Sequence, residues 1–140
     1  QMYKEEFNFF EGLDFHHIGY ACKSIEKELI IFELIGFSIE GEFFEDKLQG
    51  IRGCFIKGNG PRIELLENLP NSNQLSGLIS KGINMYHLAY KVNSIEDSIN
   101  ELLTKRAKMI VNPMPSVAFN GKKIAFLLFK NGLIIELIQK

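Results

Sequence analysis

His17-Ile18-Gly19-Tyr20 returns as His87-Leu88-Ala89-Tyr90, 70 residues downstream. Ser24-Ile25-Glu26 returns as Ser94-Ile95-Glu96 at the same offset of 70. Asn59-Gly60-Pro61-Arg62-Ile63-Glu64-Leu65 returns as Asn131-Gly132-Leu133-Ile134-Ile135-Glu136-Leu137 at an offset of 72. Blocks that keep their order at a near-constant offset mark a tandem duplication. The 140 residues are one domain of two modules, 14–68 and 84–139. Between them, 69–83 carries Pro70, the polar stretch Asn71 to Gln74 and an apolar helical turn ending at Gly82, and reads as a connector.

Each module has the same element order. Phe15 to Cys22 and Met85 to Val92 are short and rich in aromatic and apolar residues, as strands are. Ser24 and Ser94 are good helix N-caps. Ile25, Leu29 and Phe32 follow the first at helical spacing, with a stop at Gly36; Ile95, Ile99, Leu102 and Leu103 follow the second. Strands are predicted at 37–43, 51–57 and 61–67, and at 108–111, 123–129 and 132–139. Gly58-Asn59-Gly60 and Lys130-Asn131-Gly132 supply the turns between the last two strands of each module. The fold class is α+β, a pair of βαβββ modules. One such module leaves a sheet face bare, and two can cover it by forming a ligand-binding cleft between curved mixed sheets.

Composition narrows the function. Hydrophobic residues at 46% and charged residues at 24% suit a globular chain, and 16 Lys+Arg against 17 Asp+Glu remove the electrostatic reason to expect nucleic acid or an anionic membrane as partner. No apolar run reaches the ~18 residues of a membrane span, and QMYKEEFNFF lacks a signal-peptide pattern. Cys22 and Cys54 form no CxxC pair, so the reading is a reduced, cytoplasmic chain. Phe occurs 12 times and Trp not at all, which points to aromatic core rather than a base-stacking platform.

Two of the three His, His17 and His87, are equivalent positions of the repeat. So are Glu64 and Glu136, each inside an apolar strand, RIELL and IIELI. A carboxylate buried alone costs several kcal/mol unless paired, protonated or metal-bound. One strand His or one strand Glu is commonly structural or solvent-facing; the survival of both pairs in both copies points to a shared metal centre. Imidazole and carboxylate suit one divalent ion, Zn, Co, Ni, Mn or Fe. His16 neighbours His17, so strand alternation places it on the opposite face, and its repeat partner is Tyr86. Glu67, whose partner is Gln139, reads as an exposed charge at a strand end.

HIGYACKSIE, RIELLE, YHLAYKV, GKKIAF and IIELIQ, in this order and spacing from about Phe15 to Gln139, resemble the vicinal oxygen chelate (glyoxalase/bleomycin resistance/dioxygenase) superfamily, and within it the methylmalonyl-CoA epimerases. The resemblance implies paired βαβββ modules around a metal cleft, with ligands at His17, Glu64, His87 and Glu136 and with Glu136 at the proton-transfer centre. It implies proton transfer at a carbon next to a carbonyl, with Glu136 as base and Glu64 as the second catalytic candidate. The expected partner is a small-molecule substrate, an acyl thioester among the candidates, with a homodimer as an admissible assembly. Two features depart from the epimerases. Gly53 stands where some carry a second catalytic Glu, and Leu128-Phe129-Lys130-Asn131-Gly132 is shorter than their loop before the last strand. The alternatives are a glyoxalase I-like lactoylglutathione lyase, a metal-free small-molecule binding or resistance protein, and an Fe(II) dioxygenase using His17, His87 and Glu136. Asn112 to Lys122, with Pro113, Pro115 and Gly121, reads as a loop covering the cleft.

Overall fold

A computed structural model describes residues 12–140; the N-terminal stretch read above for targeting signals lies outside the described residues. The elements follow the duplication: β1 (Asp14–Ala21), α1 (Ile25–Leu34), β2 (Ser38–Asp46), β3 (Ile51–Gly58) and β4 (Gly60–Asn68), then α2 (Ser76–Ser80) in the connector, then β5 (Met85–Val92), α3 (Ile95–Thr104), β6 (Lys108–Pro115), β7 (Lys123–Leu128) and β8 (Ile134–Gln139). Both long helices start as their caps predict. The Ser24 hydroxyl accepts the Lys27 N–H at 3.3 Å and the Ser94 hydroxyl accepts the Asp97 N–H at 3.2 Å.

Glu67 is more than an exposed strand-end charge. Its Oε1 accepts the Ile25 N–H at 2.7 Å, and its repeat partner Gln139 accepts the Ile95 N–H at 2.8 Å. Each satisfies a backbone donor that the first turn of a helix leaves open. The last strand of each module is thereby tied to that module's helix, and the Glu/Gln match preserves an acceptor rather than a charge.

The strands join into one eight-stranded sheet in the order β2-β3-β4-β1-β5-β8-β7-β6. The cleft therefore lies within one continuous curved sheet. Its halves are related by the duplication and meet where β1 and β5 pair antiparallel. Within each half the first strand runs parallel to the last, β1 beside β4 and β5 beside β8. The helices cover one face. Ile25 and Leu29 of α1 pack with Ile56, Ile63 and Leu65, while Ile95, Ile99 and Leu102 of α3 pack with Ala125, Leu127 and Leu137. Alternation along β4 and β8 then turns Glu64 and Glu136, next to Leu65 and Leu137, toward the opposite face.

Asn112–Lys122 is not a loop throughout. β6 continues to Pro115, and a 3-10 turn occupies Val117–Phe119. β6 lies at the sheet edge, where prolines interrupt no ladder on the outer side, and its pairing with β7 slips between Val111 and Met114. β2 likewise runs to Asp46, past the predicted 43, across an irregularity between Glu40 and Phe44. Among the described residues no helix is long and apolar enough to cross a membrane.

Cys22 and Cys54 are free and buried. Burial lifts the Cys22 thiol to about 12 and the Cys54 thiol to about 11. The thiolate is the reactive form, so both should resist Ellman's reagent in the native protein and react at once in denaturant. A thiol reacting fast in native buffer would contradict this packing.

Candidate metal centre

Strand register places the four repeated residues together. Gly19 lies opposite His87, His17 opposite Ala89, Gly19 beside Glu64, and Ala89 beside Glu136. Two rows thus cross the concave face, Glu64–Gly19–His87 and Glu136–Ala89–His17. Each row carries a small residue between its carboxylate and its imidazole. At Gly19 this is a steric requirement: a Cβ there would lie 2.0 Å from His87 Cε1.

Each carboxylate reaches the His from its own half and from the other. His17 Nε2 lies 3.0 Å from Glu64 Oε1 and 3.2 Å from Glu136 Oε1. His87 Nε2 lies 3.1 Å from Glu136 Oε1 and 3.8 Å from Glu64 Oε1. The two Nε2 atoms are 3.2 Å apart. All four residues are buried: His17 is 0% exposed, His87 3%, Glu64 5% and Glu136 3%. The arrangement fits a divalent ion. Bonds of about 2.0–2.2 Å to nitrogen and oxygen put neighbouring ligands roughly 3 Å apart, close to every distance above except the 3.8 Å from His87 to Glu64. Glu136 Oε1 is buried with no hydrogen-bond partner, although both imidazoles crowd it. A cation would satisfy that orphaned oxygen.

Electrostatics agree. Burial works to lower the His17 pKa, but the Glu64 charge and contact with Glu136 outweigh it and hold His17 up at about 9. Burial would raise the Glu136 pKa, but contact with His17 and then His87 brings it down to about 2. The centre thus favours positive charge among its carboxylates.

Aromatic rings wall the centre. Phe55 lies opposite Glu64 and Phe126 opposite Glu136, at 5.2 Å from the His17 ring and 5.1 Å from the His87 ring respectively. Phe119 stacks on His17 at 6.1 Å and 15°. The second half of Asn112–Lys122 therefore does cover the cleft. Asp46, which the sequence did not single out, holds it there: buried at the end of β2, it accepts the Val117 N–H at 3.0 Å and two hydrogen bonds from Gln49.

His16 is not on the opposite face. Pairing slips between Phe15 and His17, so His16 is the extra residue of a bulge, and a bulge breaks strict alternation. Its Nδ1 lies 2.8 Å from His17 Nδ1, and its ring meets Phe55 and Phe119 edge-on. Burial, then the charge of His17, lowers its pKa to about 4. His16 is therefore neutral and accepts the His17 Nδ1–H, leaving His17 Nε2 to the centre. His87 has no such support, since its Nδ1 is buried without a partner and Tyr86 occupies the place of His16.

Gly53 is closely packed by neighbouring side chains. A Cβ there would lie 2.6 Å from Phe44 Cζ and 2.8 Å from Leu66 Cδ2. Phe44 and Leu66 occupy the volume that a side chain at position 53 would enter.

Beside the centre is a cavity of about 230 Å³, whose wall includes Glu64, His87 and Glu136 among Phe44, Leu66, Tyr86, Met114, Phe126 and Ile134.

The family model described as "Glyoxalase/Bleomycin resistance protein/Dioxygenase superfamily" matches residues 16–126. The chain belongs to this superfamily. Glyoxalase-superfamily architecture also accounts for its structural likenesses. A hypothetical protein from Bacillus halodurans C-125 is 29% identical over 91% of this chain and 94% of its own, with a TM-score of 0.75. Methylmalonyl-CoA epimerase from Mycobacterium tuberculosis is 22% identical over 91% of this chain and 87% of its own, at 0.72. A variant of Streptomyces coelicolor methylmalonyl-CoA epimerase, in complex with 2-nitronate-propionyl-CoA, is 19% identical over 91% and 96%, at 0.70. The latter two likenesses show the fold. No curated protein matches this chain.

Proposed function

We propose that the protein is a divalent-metal-dependent enzyme moving a proton at the carbon α to a carbonyl, in the manner of methylmalonyl-CoA epimerase. The observation that carries this reading is the joint placement of Glu64 and Glu136. Carboxylates from both halves of the duplication meet at one four-donor centre and face one mostly apolar cavity. Epimerisation needs a proton removed from one side of a carbon and returned on the other, and two carboxylates carried by separate strands, β4 and β8, suit that exchange. His17, Glu64, His87 and Glu136 would hold the ion. When bound, it would supply Lewis-acid polarisation of the substrate carbonyl.

Glu136 is the base in this reading and Glu64 its counterpart. The cavity, at about 230 Å³, is below the ~300–1,000 Å³ of drug-sized sites. It would take the acyl end of a substrate and leave a carrier outside. Its apolar wall excludes water from the carboxylates and keeps the abstracted proton available for return. The epimerase neighbours held with methylmalonyl-CoA and with 2-nitronate-propionyl-CoA support an acyl thioester as the substrate class.

The test is exchange of the α-hydrogen with solvent deuterium in the metal-loaded protein, using methylmalonyl-CoA and a hemithioacetal as probes. Exchange in the thioester supports the reading, and exchange in the hemithioacetal alone favours a glyoxalase I-like lyase. No exchange in either, with oxygen consumed or the probe merely bound, would overturn proton transfer.

His16→Phe keeps the edge-on aromatic contacts and removes the nitrogen beside His17 Nδ1. Metal affinity should fall about 10–100-fold, the usual worth of the group orienting a ligating imidazole. An unchanged metal dissociation constant would reduce His16 to packing.

A further inference from the structure

Duplication gives the centre two equivalent flanks, and the sequence has made them chemically opposite. One flank is the cavity already described, and its wall contains no Lys or Arg. The other is a separate, more open cavity of about 480 Å³ behind His16. Repeat positions occupied by Tyr86, Ile110 and Ile134 on the first flank are occupied by His16, Glu40 and Arg62 on the second. The second also has Lys91, Lys122 and Lys140 on its wall, against Glu40 as its one acidic side chain.

Its charges are unequally engaged. Glu40 is taken by Arg62, through Nε at 2.7 Å and Nη2 at 3.3 Å, and by Lys57 at 3.1 Å. Arg62 spends its remaining arm on the His16 carbonyl at 2.9 Å. Lys140 pairs with Asp14 at 2.7 Å. Lys91 and Lys122 have no acidic partner among the described residues. Two lysines without an acidic partner among the described residues thus line a cavity that Phe55, Phe119 and Ile138 make partly apolar. Phe119 and the His16–His17 pair stand between this cavity and the metal centre.

We propose that this second flank is a binding site for a small organic phosphate, with Lys91 and Lys122 holding the anion and Phe55 and Phe119 meeting its apolar part. The site stands whether or not the centre performs proton transfer. The phosphate belongs either to a separate ligand or to the tail of a substrate crossing the 3-10 turn at Ala118, which borders both cavities.

Phenyl phosphate, titrated into the purified ¹⁵N-labelled protein, is the probe, with phenol as its uncharged control. Saturable amide shifts are expected at Lys91, Asn120 and Lys122, weaker with rising salt, and absent with phenol. Lys91→Glu/Lys122→Glu should bind at least about tenfold more weakly, the order expected when two attractions become repulsions at a partly exposed site. Lys27→Glu/Lys130→Glu, with the same change in net charge at exposed residues off this wall, should bind as the wild type does. Should the double reversal disturb the fold, Lys122→Gln replaces it, with weaker binding again expected. Adding methylmalonyl-CoA then separates the sources: competition marks a substrate tail, and simultaneous binding marks a separate ligand. Shifts confined to the Glu64 and His87 cavity, an equal loss in the control variant, or no saturation at all would overturn the proposal.

Discussion

Glu136→Gln should lower α-hydrogen exchange by on the order of 10²–10⁴-fold, the range a positioned acid or base contributes, while the protein keeps its fold and most of its metal. Gln matches Glu in size and offers an oxygen toward His17 and His87, so the row through Ala89 stays filled. What it lacks is the capacity to take a proton. The loss should fall on turnover rather than on KM, since the cavity wall is otherwise unchanged and ground-state contacts persist. The pairing of metal analysis with exchange kinetics makes the result decisive. A variant that retains metal and exchanges at the wild-type rate would leave Glu136 as a ligand only, and the base would pass to Glu64. A variant that loses both metal and exchange would tie the carboxylate charge to ion retention, and Glu64→Gln would then have to carry the assignment of the base.

The clustering of four residues was legible in the sequence because duplication writes every constraint twice. A single strand His or Glu has many explanations; His17 with His87 and Glu64 with Glu136 have few, and the register brings these four together. The same logic held a weaker signal that was read too simply. Glu67 and Gln139 recur because each caps a helix, and a match judged by charge hides a match in acceptor chemistry. His16 was misplaced because alternation assumes an unbroken ladder, and the bulge is set by how β1 pairs with β5, across 70 residues of chain. Asp46 carries no local mark either, since its partner, the Val117 N–H, is 71 residues away. The prolines of β6 read as loop because an edge strand and a loop make nearly the same local demand on proline.

Gly19→Ala should abolish metal binding without removing a ligand, and the protein should still fold. The added Cβ would lie 2.0 Å from His87 Cε1 and 2.2 Å from its Nδ1. Neither approach is tolerable, so one group must move. The backbone at Gly19 is fixed by pairing with both β4 and β5, in the middle of the sheet. The imidazole of His87 is the mobile partner: it rotates about its side-chain torsions, and its Nδ1 makes no hydrogen bond that would hold it. The ring should swing out of line, taking one Nε2 from the centre and leaving Glu64, Glu136 and His17. Loss of one ligand from such a set should cost metal affinity as heavily as His87→Ala, which is expected to bring metal content near zero. The two variants should then behave alike in metal titration, and both should keep a cooperative thermal transition, because the apolar clusters beneath α1 and α3 are untouched. Full metal occupancy in Gly19→Ala would show that the sheet yields before the ring does. Full occupancy in His87→Ala would go further and remove His87, and with it the duplicated design, from the metal centre.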